Sequence, residues 1–230
     1  MKYMGSKNRL AKEILPIILK DRKEGQWYIE PFCGGCNVID KVDGNRIAND
    51  SHYFLIEMFK ALQNGWIPPK EVNEIEYKHI QNHKDFYNPY LVGYVGFNLS
   101  YAGKWFGGYA RSKRRNHSTE AYNSIIKQSQ KIKDIIFYNL DYENISIPEN
   151  SIIYCDPPYE NTTKYKNKFN SKEFWDWVRT QCNIGHTVFV SEYNSPDDFE
   201  CVWSKEINNQ ISKTNSTYKK SVEKLFKHKG

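Results

Sequence analysis

Ser151-Ile152-Ile153-Tyr154-Cys155-Asp156-Pro157-Pro158-Tyr159 is the stretch on which the reading of this chain turns. Ser151 to Cys155 is an uncharged, largely apolar run suited to a central parallel strand buried on both faces. Pro157 and Pro158 then stop it, because each fixes φ near −65° and neither has a backbone N–H for a ladder. A rigid turn accounts for the prolines alone. It does not account for a carboxylate and a tyrosine on either side of them at the C-terminal end of a strand, where ligand crevices of open α/β sheets lie. A given string of this kind occurs by chance in roughly one chain per thousand of this size. Asp156, Pro157, Pro158 and Tyr159 are therefore read as catalytic residues.

Working outward, strands alternate with helices. Lys7 to Lys20 carries Leu10, Ile14, Leu15 and Ile18 on one helical face, with a kink expected at Pro16. Gln26 to Glu30 reads as a short strand closed by Pro31 and the Gly34-Gly35 loop. Arg46 to Ala48 reads as another, ending in Asn49-Asp50 and leading into a helix from Ser51 to Gln63. Thr119 to Lys133 is an amphipathic helix, and Ile135 to Asn139 a strand. Beyond Tyr159 come a helix opened by Ser171 with Glu173 in its first turn, a strand from His186 to Val190, and a final hairpin. This order indicates an α/β domain around a mostly parallel sheet. Residues 70–115 break the alternation: they are polar, aromatic and irregular, with helical stretches and a glycine-rich piece from Tyr101 to Tyr109. The expected organisation is a catalytic domain of residues 1–64 and 119–230, with an inserted region at 65–118.

The composition fits that plan. The chain has 230 residues, 39% of them apolar and 15% aromatic, enough for one folded domain with an insertion. No apolar run is long enough to cross a bilayer, and Met1-Lys2-Tyr3-Met4-Gly5 is no signal peptide, so a cytoplasmic protein without membrane contact is expected. Net charge is +6, and the cations cluster: Arg111, Lys113, Arg114 and Arg115; Lys164, Lys166 and Lys168, alternating with Tyr165 and followed by Phe169; and Lys219, Lys220, Lys224 and Lys227. Such clusters neutralise phosphates when they are not simply solvated surface. Five cysteines argue against a disulfide framework. Cys33 and Cys36 form a C-x-x-C pair, but Cys155, Cys182 and Cys201 supply no second pair at ligand spacing, so no metal is expected.

Two further stretches carry chemistry. In Tyr28-Ile29-Glu30-Pro31-Phe32-Cys33-Gly34-Gly35, glycines after a first strand let backbone approach a ligand closely. The loop is not G-x-G-x-x-G and no phosphate-binding lysine loop occurs, which weakens dinucleotide and nucleoside triphosphate readings. Asp50 stands at the end of the next strand, where an acid holds a ribose diol; it would equally serve as N-cap of the helix that follows.

Together these pieces resemble the Dam-like DNA adenine-N6 methyltransferases, and the resemblance runs nearly end to end. Tyr3-Met4-Gly5-Ser6-Lys7 is similar to the family's N-terminal cofactor segment, often Y-x-G-G-K, with Ser6 in place of the second glycine. Glu30 to Gly35 resembles the first methyltransferase motif, Asn49-Asp50 the ribose-binding acid, and Asn139-Leu140-Asp141-Tyr142 the segment that recognises the cofactor's adenine. Asp156 to Tyr159 matches the catalytic motif without departure. Ser191-Glu192-Tyr193-Asn194 and Glu223-Lys224-Leu225-Phe226 also resemble family segments.

The resemblance implies a Rossmann-like S-adenosylmethionine-dependent methyltransferase fold with an inserted, largely helical target-recognition region. It implies S-adenosylmethionine as cofactor, S-adenosylhomocysteine as product, no metal, double-stranded DNA as partner and no obligate protein partner. Cofactor contacts would come from Tyr3, Lys7, Glu30, Pro31, Phe32, Gly34, Gly35, Asp50, Asp141, Tyr142 and Asp156. DNA contacts would come from Lys104, Arg111, Lys113, Arg114 and Arg115, with Phe97 to Gly108 the part of the insert expected to approach DNA.

The chemistry asks for such groups. An adenine amino nitrogen is a poor nucleophile, because its lone pair is delocalised into the ring. Two acceptors taking both N–H bonds, the Asp156 carboxylate and the Pro157 carbonyl, would favour a pyramidal nitrogen aimed at a methyl donor. Tyr159 offers a face on which an extruded base stacks, worth roughly 1–3 kcal/mol, and the base must leave the duplex to be reached. The same motif logic serves cytosine-N4 and RNA adenine methyltransferases, although cytosine enzymes more often carry Ser at the position of Asp156. A non-catalytic DNA-binding protein on this scaffold is the alternative of another class; the presence of Asp156 and Gly34 disfavours it.

Overall fold

The computed structural model describes residues 1–112, 114–158, 169–209 and 219–230. Its strands are β1 (Tyr28–Glu30), β2 (Arg46–Asn49), β3 (Ile135–Tyr138), β4 (Ile152–Cys155), β5 (Thr187–Glu192), β6 (Phe199–Asn209) and β7 (Lys219–His228). They form one sheet in the order β3-β2-β1-β4-β5-β7-β6. The β2–β3, β1–β4 and β4–β5 pairs are parallel, and β7 runs antiparallel to both β5 and β6. This is the α/β architecture with a mostly parallel sheet expected from the sequence. All residues of β1, β2 and β4 are buried, as strands covered on both faces must be. In that order β1 has β2 on one side and β4 on the other.

The helices are α1 (Ala11–Ile18), α2 (Tyr53–Gln63), α3 (Glu74–Asn82), α4 (Pro89–Asn98), α5 (His117–Ser129) and α6 (Ser171–Asn183). Several boundaries differ from the sequence expectation for local reasons. The helix expected from Lys7 starts with a 3-10 turn, Lys7–Arg9, where the Ser6 hydroxyl accepts from the Asn8 N–H at 3.2 Å. α5 stops at Ser129 rather than Lys133, and the Gln63 amide then grips the carbonyls of Ile132, Lys133 and Ile135. Asn170, not Ser171, caps α6, accepting from the N–H groups of Lys172 and Glu173. β5 runs on to Glu192 because β7 continues the pairing as far as Glu192 opposite Lys224.

The chain forms two compact units, Met1–Lys12 with Pro31–Ser146, and Glu13–Glu30 with Ile147–Gly230. In the first, residues 65–118 are largely helical. Asn73 opens α3 with a reciprocal capping box to Glu76, and Pro89 starts α4 where its missing N–H costs nothing. α4 is buried from Val92 to Asn98 and lies against α2. A Cβ placed on Gly93 would come within 2.0 Å of the Phe54 carbonyl oxygen, so the helices approach backbone to side-chain-free backbone. Gly93→Ala is expected to lower stability by about 1–3 kcal/mol, the cost of an overpacked contact, despite Ala's better helix propensity. Urea unfolding with an unchanged midpoint would show that the two helices separate freely.

Candidate active site

The site residues read from the sequence fall in both units. In the first, β2 ends in Asn49, whose buried side chain is a three-way hub. Its Nδ2 donates to the Pro31 carbonyl at 2.9 Å and the Leu140 carbonyl at 3.1 Å, and its Oδ1 accepts from the Leu140 N–H at 3.0 Å. The Cys33 N–H donates to the Asn49 carbonyl at 2.8 Å. One amide side chain thus ties the glycine loop and the segment after β3 to the end of β2. Asp50 follows. Its Oδ2 accepts from the Gly34 N–H at 3.0 Å and its Oδ1 from the His52 N–H at 2.9 Å. It is not the cap of α2: that position is His52, which makes no side-chain cap bond. Burial pushes the Asp50 carboxyl above its ordinary range, opposed by the two N–H bonds. Each carboxylate oxygen retains acceptor capacity beyond these bonds.

The two glycines have a use the sequence did not reveal. A Cβ at Gly34 would lie 2.7 Å from Tyr3 Cε1, and one at Gly35 would lie 2.7 Å from Tyr3 Cβ and from Asn37 Nδ2. Tyr3 occupies the space side chains would need, so the N-terminal segment packs directly on the loop. Phe32 and Tyr142 stand with ring centroids 5.1 Å apart, tilted by 37°. Asp141 beside them is exposed and caps a 3-10 turn, Tyr142–Asn144, by accepting from the Glu143 N–H. Lys7 is buried, and its ammonium reaches the Gly5 carbonyl at 3.4 Å.

The second unit carries the ends of β1 and β4. Register places Tyr28 opposite Ile152 and Ile29 opposite Ile153, so Glu30 and the Asp156-Pro157 turn leave adjacent parallel strands in the same direction. Glu30 is buried, and the Tyr28 hydroxyl donates to its Oε1 at 2.9 Å. Tyr154 is also buried, with its hydroxyl 2.8 Å from Ser191 Oγ. Burial, then the neighbouring Asp156, raises the Tyr154 phenol well above its ordinary range. The Cys155 thiol is raised in the same way, by burial first and then by Cys182 and Asp156, so it is no nucleophile. Asp156 and Pro158 are half-buried and Pro157 is buried. Tyr159, Lys164, Tyr165, Lys166 and Lys168 lie outside the described residues, as does Lys113.

The segment assigned to DNA divides. Phe97, Asn98, Leu99 and Ser100 are buried, with Ser100 Oγ 2.7 Å from the Tyr77 hydroxyl and donating to the Gly96 carbonyl at 2.6 Å. Tyr101, Lys104, Gly107 and Gly108 are exposed. So are Arg111, Arg114 and Arg115, but two of them have acidic partners. Arg111 binds Glu74 through two nitrogens, with Nε to Oε2 at 2.8 Å, and Arg115 Nε donates to Glu120 Oε1 at 2.7 Å. The bond from Arg111, then that from Lys78, holds the Glu74 carboxyl down at about 2.

A half-buried carboxylate and a buried proline follow β4 in one unit, and in the other a glycine loop is tied to the acid after β2; these are residues by which the sequence resembles adenine-N6 DNA methyltransferases. Residues 3–90 match the family model of D12 class N6 adenine-specific DNA methyltransferases, which bears out that resemblance over the N-terminal segment, the glycine loop and Asn49-Asp50. The modification methylase StsI of Streptococcus sanguinis is 25% identical over 78% of this chain and 31% of its own length. The type II methyltransferase M.FokI of Planomicrobium okeanokoites is 22% identical over 79% of this chain and 32% of its own. The chain therefore spans about a third of the length of these relatives. Among solved structures, TrmN from Thermus thermophilus superposes with a TM-score of 0.41 at 13% identity, covering 96% of this chain and 48% of that one.

His52 escaped the sequence reading. Its ring meets those of Trp105 at 4.3 Å, Phe97 at 4.8 Å and Phe54 at 6.2 Å, and its buried Nδ1 has no hydrogen-bond partner. Burial lowers its pKa to about 4 from 6.5. The imidazole is neutral in the fold, whereas the unfolded chain takes up a proton near pH 6.5. The resulting stability is full above pH 6.5 and is lost as pH falls toward 4, by up to about 3 kcal/mol. Urea unfolding at pH 7 and pH 5 should show this slope in the parent and a flatter one in His52→Gln; equal slopes would remove His52 as its source.

Proposed function

We propose that the chain is an S-adenosylmethionine-dependent DNA methyltransferase that modifies the N6 amino group of an adenine flipped out of double-stranded DNA. The observation that carries this reading is the placement of Asp156 and Pro157 at the carboxyl end of buried β4, beside the end of β1. The match of residues 3–90 to the D12 class N6 adenine-specific DNA methyltransferase model supports the substrate class, and similarity to a modification methylase and a type II methyltransferase supports methyl transfer. The glycine loop supports the cofactor: Asp50 is a half-buried carboxylate with lone pairs to spare for a ribose diol, and Phe32 and Tyr142 offer apolar faces for a purine.

S-adenosylmethionine supplies a methyl group made electrophilic by its sulfonium. Asp156 accepts one amino hydrogen of adenine and the Pro157 carbonyl accepts the other, holding the lone pair out of the ring plane. Pro157 and Pro158 have no N–H to turn toward that carbonyl, and their fixed φ angles keep it aimed. S-adenosylhomocysteine would leave with the sulfur electron pair, and Asp156, already accepting an amino hydrogen, would take up the proton that the methylated nitrogen releases. Tyr159 stacks on the base. Residues 65–118 hold the DNA, with Lys104, Arg114 and Arg115 on phosphates and Arg111 exchanging Glu74 for a base edge.

Asp156→Ala is expected to abolish methyl transfer to duplex DNA while DNA affinity stays within a few fold, because the missing acceptor acts mainly in the transition state. Asp50→Ala should instead weaken S-adenosylmethionine binding by roughly 1.5–3 kcal/mol, the worth of a charge-assisted hydrogen bond. Labelled-methyl assays on duplex DNA, single strands and RNA, paired with calorimetry, separate these outcomes; adenine methylation by Asp156→Ala would reject the mechanism, and transfer to RNA alone would replace the substrate.

Replacing Lys104, Arg111, Arg114 and Arg115 by neutral residues should weaken binding on every sequence. It should also flatten the dependence of log affinity on log salt by about one for each phosphate no longer neutralised. Unaltered affinity and slope would remove the segment from the interface.

A further inference from the structure

Gln128 lies in the last turn of α5, outside every motif read from the sequence, and is buried. Its amide nitrogen faces three acceptors: the Gly35 carbonyl at 2.9 Å, the Cys36 carbonyl at 3.2 Å and Asp40 Oδ2 at 3.1 Å. A primary amide has two hydrogens, so both are used and one is shared. The opposite orientation would set its oxygen against three oxygens, which fixes the amide as a donor here.

The loop it touches needs such a hold. Gly34 and Gly35 are the residue type with the widest conformational freedom, and Gly34 sits at φ +45°. The N–H side of the loop is anchored by Asn49, Asp50 and the Cys36-to-Cys33 turn. On the carbonyl side, Gln128 is the partner of the Gly35 oxygen and adds a second bond to the Cys36 oxygen, which also accepts from the Asp40 N–H. Gly35 is itself buried, yet among the described residues its own N–H donates to no acceptor. An N–H of a buried residue without a protein acceptor is rare and is met by water or by a ligand.

We propose that Gln128 is a positioning residue for cofactor binding: by holding the Gly35 and Cys36 carbonyls it fixes the glycine loop with the Gly35 N–H presented to S-adenosylmethionine. The inference rests on the reading of this loop as the cofactor site. Without the amide, two peptide units regain freedom that binding must remove again, and affinity falls. The methyl-transfer step is untouched once cofactor is bound.

The test compares Gln128→Met, which keeps the length and removes both donors together with the Oε1 that accepts from the Met1 ammonium at 2.8 Å, with Gln128→His, which offers a ring N–H donor in their place. Ile125→Val, also buried on α5, serves as a packing control. Calorimetry with S-adenosylhomocysteine should show affinity roughly tenfold weaker in Gln128→Met, largely restored in Gln128→His and unchanged in Ile125→Val. In turnover, KM for S-adenosylmethionine should rise while kcat at saturation holds. Should Met fail to fold at this position, Gln128→Ala, which removes the donors without adding an acceptor, replaces it. Parent-like affinity in a folded Gln128→Met overturns the proposal, as does an equal loss in Ile125→Val at matched stability. A parent protein that binds no S-adenosylhomocysteine overturns the cofactor reading itself, and this proposal with it.

Discussion

Parallel pairing of β1 with β4 is the constraint from which the candidate chemistry follows. The two strands are joined through more than a hundred residues of chain, yet Tyr28 stands opposite Ile152 and Ile29 opposite Ile153. Burial secures the pair: these four side chains are at most 3% exposed, and each is worth about 1.5–3 kcal/mol relative to exposure. Because the strands run the same way, their carboxyl ends emerge together, and Glu30 and Asp156 with them. β5 enforces the register from the other side. Tyr154 meets the Ser191 hydroxyl only if Ile153 lies opposite Val188, and a one-residue slip would send Ser191 to the far face of the sheet.

Polar groups buried near these strand ends are costly unless bonded, and most are answered by a specific partner. Glu30 takes the Tyr28 hydroxyl, Tyr154 pairs with Ser191, and Asn49 satisfies three backbone groups at once. Low dielectric makes such networks strong when complete and expensive when broken. Asn49 therefore does more than precede an acid. It sets where the glycine loop and the Leu140 segment stand, while Asp50 fastens the loop by the Gly34 N–H and keeps lone pairs for another donor. His52 is an exception, with a buried nitrogen unpaired and its charge suppressed, and Asn37 Nδ2 is another.

What was legible in the sequence were features with a local cause. The Ser151–Cys155 run, its end at the prolines, the alternation of strands with helices and the final hairpin all appear in the structure, because apolar period and strand-breaking residues act over a few positions. What was not legible depends on partners distant in sequence. Gly34 and Gly35 looked like room for a ligand, yet the room beside them holds Tyr3. Phe97 to Ser100 looked like a surface facing DNA, yet Tyr77 and the neighbouring helix bury it. Asp50 read equally as a ribose-binding acid and as a helix cap, and one of its oxygens serves a loop sixteen positions earlier. Arg111 was expected to contact DNA, yet Glu74 lies across from it. In each case the partner was distant in sequence and therefore invisible.

The two candidate halves reach rigidity by different physics. At the end of β4, stiffness is covalent: two pyrrolidine rings fix φ whatever surrounds them, so the Asp156-Pro157 turn keeps its shape with little help. At the end of β1, stiffness is borrowed. Two glycines have no intrinsic preference, and Tyr3, Asn49, Asp50 and Gln128 impose one by contact and hydrogen bond. The difference suits the tasks proposed for them. Acceptors that polarise an amino group must not relax as charge develops, since their advantage lies in being arranged beforehand. A loop that admits and releases a cofactor every turnover gains from a conformation held by many bonds of modest strength, each worth about 1 kcal/mol net and each able to open.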